Sequence, residues 1–195
     1  MPGKLVVVSA PSGTGKTTIV QKILEILPNT VRLITTTTRK KRPGEIEGKD
    51  YYFVPEEDFV EKIAKGDFVE YNQYAGNYYG TEKAKLEELQ RHYDLVFAII
   101  DVNGKMNLDT LGIPNISIFI LPESLHVLRA RIEKRSSLTL EQLEKRLEEA
   151  EREKEKGKDY DCQVINREGK MDETVKEILA FLEKKGKDEG AKIAT

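Results

Sequence analysis

Cysteine is almost missing from this chain. Cys162 is the only one in 195 residues, so no intrachain disulfide can form and a cysteine-based zinc site is excluded. A lone residue of this kind reads as a small, half-buried apolar side chain rather than a catalytic thiol. Histidine is scarce too: His92 and His126 lie far apart and read as surface or helix residues. No excess of one charge exists. Lys and Arg number 32 against 34 Asp and Glu, a net charge of -2. That removes the overall basic field that grips nucleic acid and the polybasic address of a membrane surface. No apolar stretch approaches the roughly 18–20 residues of a membrane-crossing helix. The first apolar run is short and stops at Ser9-Ala10-Pro11-Ser12, which does not suit a signal peptide. These absences lead to the expectation of one cytoplasmic domain that binds neither nucleic acid nor membrane; monomer and homodimer both stay open.

Residues 4–9 (KLVVVS) form a β-branched run that predicts a buried strand. Residues 10–16 are a Gly, Ser and Pro loop. Residues 17–27 carry Ile19, Val20, Ile23, Leu24 and Leu27 at helical spacing, and Pro28 closes the helix. Further buried strands are predicted at 95–101, 116–121 and 163–166, and helices at 124–135, 140–156 and 172–185. Their alternation predicts an α/β fold, a parallel sheet with helices on both faces. Residues 35–93 break the alternation. They hold a Thr run, a basic stretch, a Pro43-Gly44 turn and a Tyr/Asn/Gly cluster, and read as an insertion with its own β structure and a helix near 55–65. The core then comprises 1–34, 94–134 and 160–185, and the polar tail from 186 is expected to fray.

Ala10-Pro11-Ser12-Gly13-Thr14-Gly15-Lys16-Thr17 matches the phosphate-loop pattern, with Ala10 at the usual first glycine. Glycines allow backbone N–H groups to converge on phosphate oxygens, and the positive end of the following helix adds to the attraction. Lys16 suits the β- and γ-phosphates and the Thr17 hydroxyl suits Mg²⁺. Thr18 suits the α-phosphate and suits equally well a plain helix start. Asp101, at the end of the second apolar strand, is an acid that needs a partner if buried. Outer support of the metal is the reading that a phosphate loop favours.

In the insertion, Arg39-Lys40-Lys41-Arg42 is a local basic cluster. Two arginines three residues apart, beside a Pro-Gly turn, can converge on one phosphate with forked N–H groups. Thr37-Thr38-Arg39-x-x-Arg42-Pro43-Gly44-Glu45, then Gly48-x-Asp50-Tyr51-x-Phe53-Val54, then Glu70 and Gly76-Asn77-Tyr78-Tyr79-Gly80-Thr81, together resemble the guanylate kinase family. Ile100-Asp101-Val102, Phe119-Ile120-Leu121-Pro122 and Arg131-x-x-x-Arg135 with Arg146 extend the likeness from Gly3 to about Leu182.

The resemblance implies a P-loop kinase that passes the γ-phosphoryl group of ATP to GMP, with Mg²⁺, in purine nucleotide metabolism, and that accepts dGMP as well. It implies that Ser12, Gly13, Thr14, Gly15, Lys16, Thr17, Thr18, Arg131 and Asn166 bind ATP. Arg39, Arg42, Tyr51 and Tyr79 hold the GMP phosphate. Glu70 reads guanine with the hydroxyls of Thr35 and Thr81 beside it, and Gly80 and Asp101 line the same site. Lys16, Arg39, Arg135 and Arg146 carry the transfer, the last two from a helical lid over 135–159. Thr17 holds Mg²⁺ and Asp101 supports it through water. The chain departs from the family at Ile99, where an acid is usual, at Asn103 for Gln, at Thr35 and Thr81 where Ser is common, and at Ser136-Ser137, where a Gly is usual. A binding-only relative of the family, a kinase for another small acceptor, and a P-loop NTPase acting on a macromolecule, which the near-zero net charge disfavours, are the competing readings. Lys16, Thr17, Arg135 and Arg146 argue against the first, and Glu70 with its two threonines against the second.

Overall fold

The computed structural model describes residues 2–74, 76–135 and 139–188. In chain order they form β1 (Lys4–Ser9), α1 (Lys16–Ile26), β2 (Thr30–Leu33), β3 (Thr36–Thr37), β4 (Tyr52–Phe53), α2 (Glu56–Lys65), β5 (Phe68–Tyr74), β6 (Asn77–Glu82) and α3 (Lys83–His92). There follow β7 (Leu95–Ile99), α4 (Val102–Thr110), β8 (Ile116–Pro122), α5 (Leu125–Arg135), α6 (Leu140–Lys156), β9 (Cys162–Asn166) and α7 (Met171–Asp188). Five strands make a parallel sheet in the order β2-β7-β1-β8-β9, and four make a mixed sheet in the order β4-β3-β6-β5. The α/β class read from the sequence is the one observed. The chain packs as two compact units: Met1–Val6 with Asn29–Asn115, and Val7–Pro28 with Ile116–Thr195.

The first unit is built around β7, whose Leu95, Val96, Phe97 and Ala98 are all buried. That is why the strand reads as an unbroken apolar run rather than an alternating one. Its mixed sheet is held by aromatic stacking. The Phe59 ring of α2 lies 4.3 Å from that of Phe68 and 5.4 Å from that of Tyr78. Charge ties the same pieces together: Glu82 accepts hydrogen bonds from Thr36, from Lys62 of α2 and from Lys85 of α3. The charges of α2 also suit the helix dipole, with Glu56, Glu57 and Asp58 in its first turn and Lys62 and Lys65 in its last.

In the second unit, Ile19, Val20 and Ile23 of α1 are buried, as are Val175, Ile178 and Leu182 of α7. A separate cluster of Leu128, Ile132, Leu143 and Ala150 joins α5 to α6. Thr139 and Gln142 form a reciprocal capping box at the start of α6. Cys162 is half-buried, and burial pushes its thiol up, away from the thiolate a nucleophile requires.

Several elements differ from expectation. The strand expected to end at Asp101 stops at Ile99, and Asp101 instead caps α4, accepting from the N–H groups of Asn103 and Gly104. This helix went unpredicted because VNGKMNLDT has an internal glycine and no apolar stripe. The helix α3 went unpredicted because only Leu86 in it is buried, and β2 because four residues beside a Thr run show no pattern. The last helix continues to Asp188, through the glycine at which fraying was expected, since Gly186 is itself buried. Among the described residues no helix is long and apolar enough to cross a membrane.

Candidate active site

The phosphate loop joins β1 to α1 in the second unit. Gly13 and Gly15 have φ of 93° and 97°, a left-handed conformation that strains any residue bearing a side chain. Buried Thr14 folds the loop on itself, its hydroxyl donating to the Pro11 carbonyl at 2.7 Å. The loop is braced from outside. Asn166, at the end of β9 and 1% exposed, donates its amide to the Thr14 carbonyl at 2.7 Å. A Cβ on Gly15 would sit 3.1 Å from that amide, and one on Gly13 would sit 3.3 Å from Ile132 of α5. The glycines therefore serve close approach as well as dihedral freedom. Lys16 opens α1, with its ammonium donating to the Ala10 carbonyl at 2.6 Å. Ser12, Thr17 and Thr18 are exposed at the positive end of that helix, whose first turn holds no acid. The arrangement can cradle a chain of phosphates.

Asn166 was expected to bind ATP; one N–H of its amide donates to the loop. Asn166→Ala leaves the buried Thr14 carbonyl without this donor. The expected loss of unfolding free energy is about 1–3 kcal/mol, read by urea denaturation against the parent chain.

A cationic aromatic cluster lies in the first unit. The Arg39 guanidinium grips Glu45 with two bonds, at 2.7 and 3.0 Å. It lies 5.3 Å from the centre of the Tyr51 ring. Tyr51 and Tyr79 meet edge to face at 6.0 Å, and burial, with Tyr79 adding to it, pushes the Tyr51 phenol up. Glu45 also accepts from the backbone N–H of Arg42, closing the turn over Pro43 and Gly44. Three hydrogen bonds from Arg39, to Glu45 twice and to the Lys40 carbonyl, use three of the guanidinium's five N–H donors. The others can meet an anion.

A second cluster in the same unit centres on Glu70. A bulge in β5 sets it: Phe68 pairs with Glu82, but Glu70 pairs with Thr81 instead of Gly80. The extra residue brings Glu70 opposite a hydroxyl. Glu70 is 4% exposed. One carboxylate oxygen accepts from the Thr81 hydroxyl at 2.6 Å; the other is buried and has no hydrogen-bond partner among the described residues. Burial pushes the carboxyl up to about 7, the Thr81 bond opposes that, and the Asp101 charge adds to it. Gly104 of α4 passes so close that a Cβ there would lie 2.7 Å from the unpartnered oxygen. Asn72, two residues along β5, donates its amide to both oxygens of Asp101, at 2.8 and 2.7 Å. A buried acceptor with no donor is costly, and such a group inside a protein awaits a ligand that brings one.

Of the other expected residues, Thr35 is buried and its carbonyl accepts from the Tyr52 N–H. Gly80 is fixed by packing, because a Cβ there would meet the Phe68 and Phe59 rings at 2.8 and 2.9 Å. Arg131 lies on α5 and Arg146 on α6, both half-buried. Arg135 ends α5; its side chain and the Ser136-Ser137 departure lie outside the described residues. Sequence reasoning gave no role to Glu45, Gly104 or Asn72. For Asn72 a signal existed, since it shares a strand face with Glu70 at the period of two.

The guanylate kinase family model matches residues 2–185. The guanylate kinase of Wolbachia sp. subsp. Brugia malayi is 43% identical over 183 residues, which cover 93% of each chain. That of Protochlamydia amoebophila is 45% identical over 165 residues, 84% of this chain and 83% of its own. The crystal structure of guanylate kinase from Anaplasma phagocytophilum superposes with a TM-score of 0.76 at 31% identity, covering 94% of this chain and 86% of that one.

Proposed function

The chain belongs to the guanylate kinase family, and from that premise we propose that it transfers the γ-phosphoryl group of ATP to GMP, giving ADP and GDP. The observation that carries the choice of acceptor is Glu70, a buried carboxylate with one oxygen unpartnered beside the Thr81 hydroxyl. Guanine offers N1–H and a 2-amino group as adjacent donors, and a carboxylate only accepts. Adenine would set the N1 lone pair against the carboxylate and leave Glu70 buried and unsatisfied. Thr35 and Thr81 supply hydroxyls beside the base. The deoxy acceptor dGMP presents the same base edge and phosphate, and is a substrate in the same reading.

GMP already carries the attacking oxygen as an anion, so no strong general base is needed. The difficulty is holding two polyanions, and catalysis is mostly positioning and charge stabilisation. Lys16 and the N–H groups of Ser12–Thr18 hold the donor phosphates. Arg39 and Arg42, with the phenols of Tyr51 and Tyr79, hold the acceptor phosphate, and Glu45 keeps Arg39 in place. Arg131, Arg135 and Arg146 act on the transferring group from the lid helices.

Mg²⁺ completes the reading. Among the described residues no group of three or more His, Cys, Asp or Glu could hold a metal alone. This fits an ion that takes most of its oxygens from nucleotide phosphates and water, with one or two from protein. The exposed Thr17 hydroxyl is the protein oxygen proposed for it. Asp101, whose oxygens already accept from Asn72, Asn103 and Gly104, is assigned to it only through water. When bound, the ion shields phosphate charge. The proposed setting is the cytoplasm.

Only the ionised form of Glu70 can accept from both guanine donors, while burial keeps the free group near 7. GMP binding at pH 7 therefore releases about half a proton, and close to none at pH 8.5. Calorimetry in buffers of differing ionisation enthalpy measures this. Equal release at both pH values contradicts the assignment of Glu70.

A further inference from the structure

Asn72 holds the second orphan of the base site. Its amide nitrogen donates to both oxygens of Asp101, and a carboxylate accepts only, so the orientation of the amide is settled by its partner. The amide carbonyl oxygen then faces away from Asp101. It is buried and has no partner among the described residues, as is one oxygen of Glu70. Both residues lie on one face of β5, two positions apart, and both meet the first turn of α4: Glu70 against Gly104, Asn72 against Asp101. Two unpartnered buried acceptors on one strand face, two positions apart, suit a ligand with donors in a row.

We propose that Asn72 is a specificity-determining residue of the base site, its carbonyl accepting the hydrogen of the guanine 2-amino group that Glu70 does not take. The proposal rests on the guanylate kinase reading above. Guanine N1–H and one amino hydrogen lie parallel and suit one carboxylate. The second amino hydrogen points onward along the base edge and needs another acceptor. A purely supporting role leaves the carbonyl unexplained. Both backbone N–H groups of α4 bond one oxygen of Asp101 and the other takes the Asn72 amide, but that support engages only the amide nitrogen, and a buried carbonyl without a donor is a cost. The charged groups facing this pair are Glu70 itself and Asp101 at the head of α4; Thr81 of β6 adds a hydroxyl.

The test compares GMP with IMP, whose base lacks the 2-amino group, in the parent chain and in Asn72→Ala. Loss of the carbonyl lowers kcat/KM for GMP about tenfold, as for one hydrogen bond to a buried donor, and leaves IMP within about twofold. The preference for GMP over IMP thus shrinks about tenfold, and the KM for ATP is unchanged. Equal losses for both nucleotides overturn the proposal and make Asn72 a support for Asp101; no loss for either overturns it too. Asn72→Ser, too short to reach, gives the same readout should the alanine variant fold poorly. A parent chain that turned over IMP, or another acceptor, but not GMP would sink the underlying reading instead.

Discussion

Glu70→Gln is expected to lower kcat/KM for GMP by about 10³-fold and to make the protein more stable at pH 8. The activity loss follows from geometry. Glutamine turns an amide N–H towards a base edge that itself presents N–H groups. Two donors then go unpaired in a buried site, at about 1–3 kcal/mol each, and sites built to hydrogen-bond a ligand discriminate strongly on such pairs. The stability gain follows from linkage. The Glu70 pKa is raised from 4.5 to about 7 in the folded chain. Between those values the folded state binds more protons than the unfolded one, so stability falls as pH rises through that window. The fall attributable to Glu70 is about 3 kcal/mol. Glutamine does not ionise and escapes it. Urea denaturation of both chains at pH 4.5 and pH 8 reads the difference: the variant gains on the parent at the higher pH and not at the lower. A variant less stable than the parent at pH 8 contradicts the picture of a carboxylate held against its own solvation for the sake of its ligand.

The second large effect falls on Lys16. Replacing it with methionine keeps the aliphatic stem and removes the ammonium. A preorganised cation aimed at developing phosphate charge is worth about 10²–10³ in rate, so kcat is expected to fall by about that factor. Both kcat and kcat/KM fall together if the interaction is made mainly in the transition state. GMP binding is unchanged, because the residues assigned to it belong to the other compact unit. Lys16 also donates to the Ala10 carbonyl, so circular dichroism and the thermal midpoint must be compared alongside. A folded variant with more than a tenth of parental kcat removes Lys16 from the catalytic assignment.

The phosphate loop was legible in the sequence because its physics is local. A β-branched strand, a glycine-rich loop and an amphipathic helix in that order leave little choice, and β1 and α1 form where the pattern puts them. The parallel sheet was legible from the apolar runs now buried in β7 and β8. Glu70 was reachable only through the resemblance to the family. The feature that brings it opposite Thr81 is a one-residue bulge, which no periodicity announces. Asp101 was read as the end of a strand; whether an acid after an apolar run ends a strand or caps a helix depends on the residues beyond it, and those of α4 carry no stripe. Gly104 and Asn72 matter through long-range packing, one by the room it leaves beside Glu70 and the other by a bond across 29 residues. Gly80, which the family likeness assigned to the GMP site, is also required by the aromatic stack around it.

The central claim is that this chain phosphorylates GMP by reading guanine. A coupled assay of ADP release with ATP, Mg²⁺ and each of GMP, AMP, CMP and UMP tests it most directly. Turnover with GMP alone is the predicted result; equal or greater turnover with another monophosphate, or none with any from a folded sample that binds GMP, would contradict it.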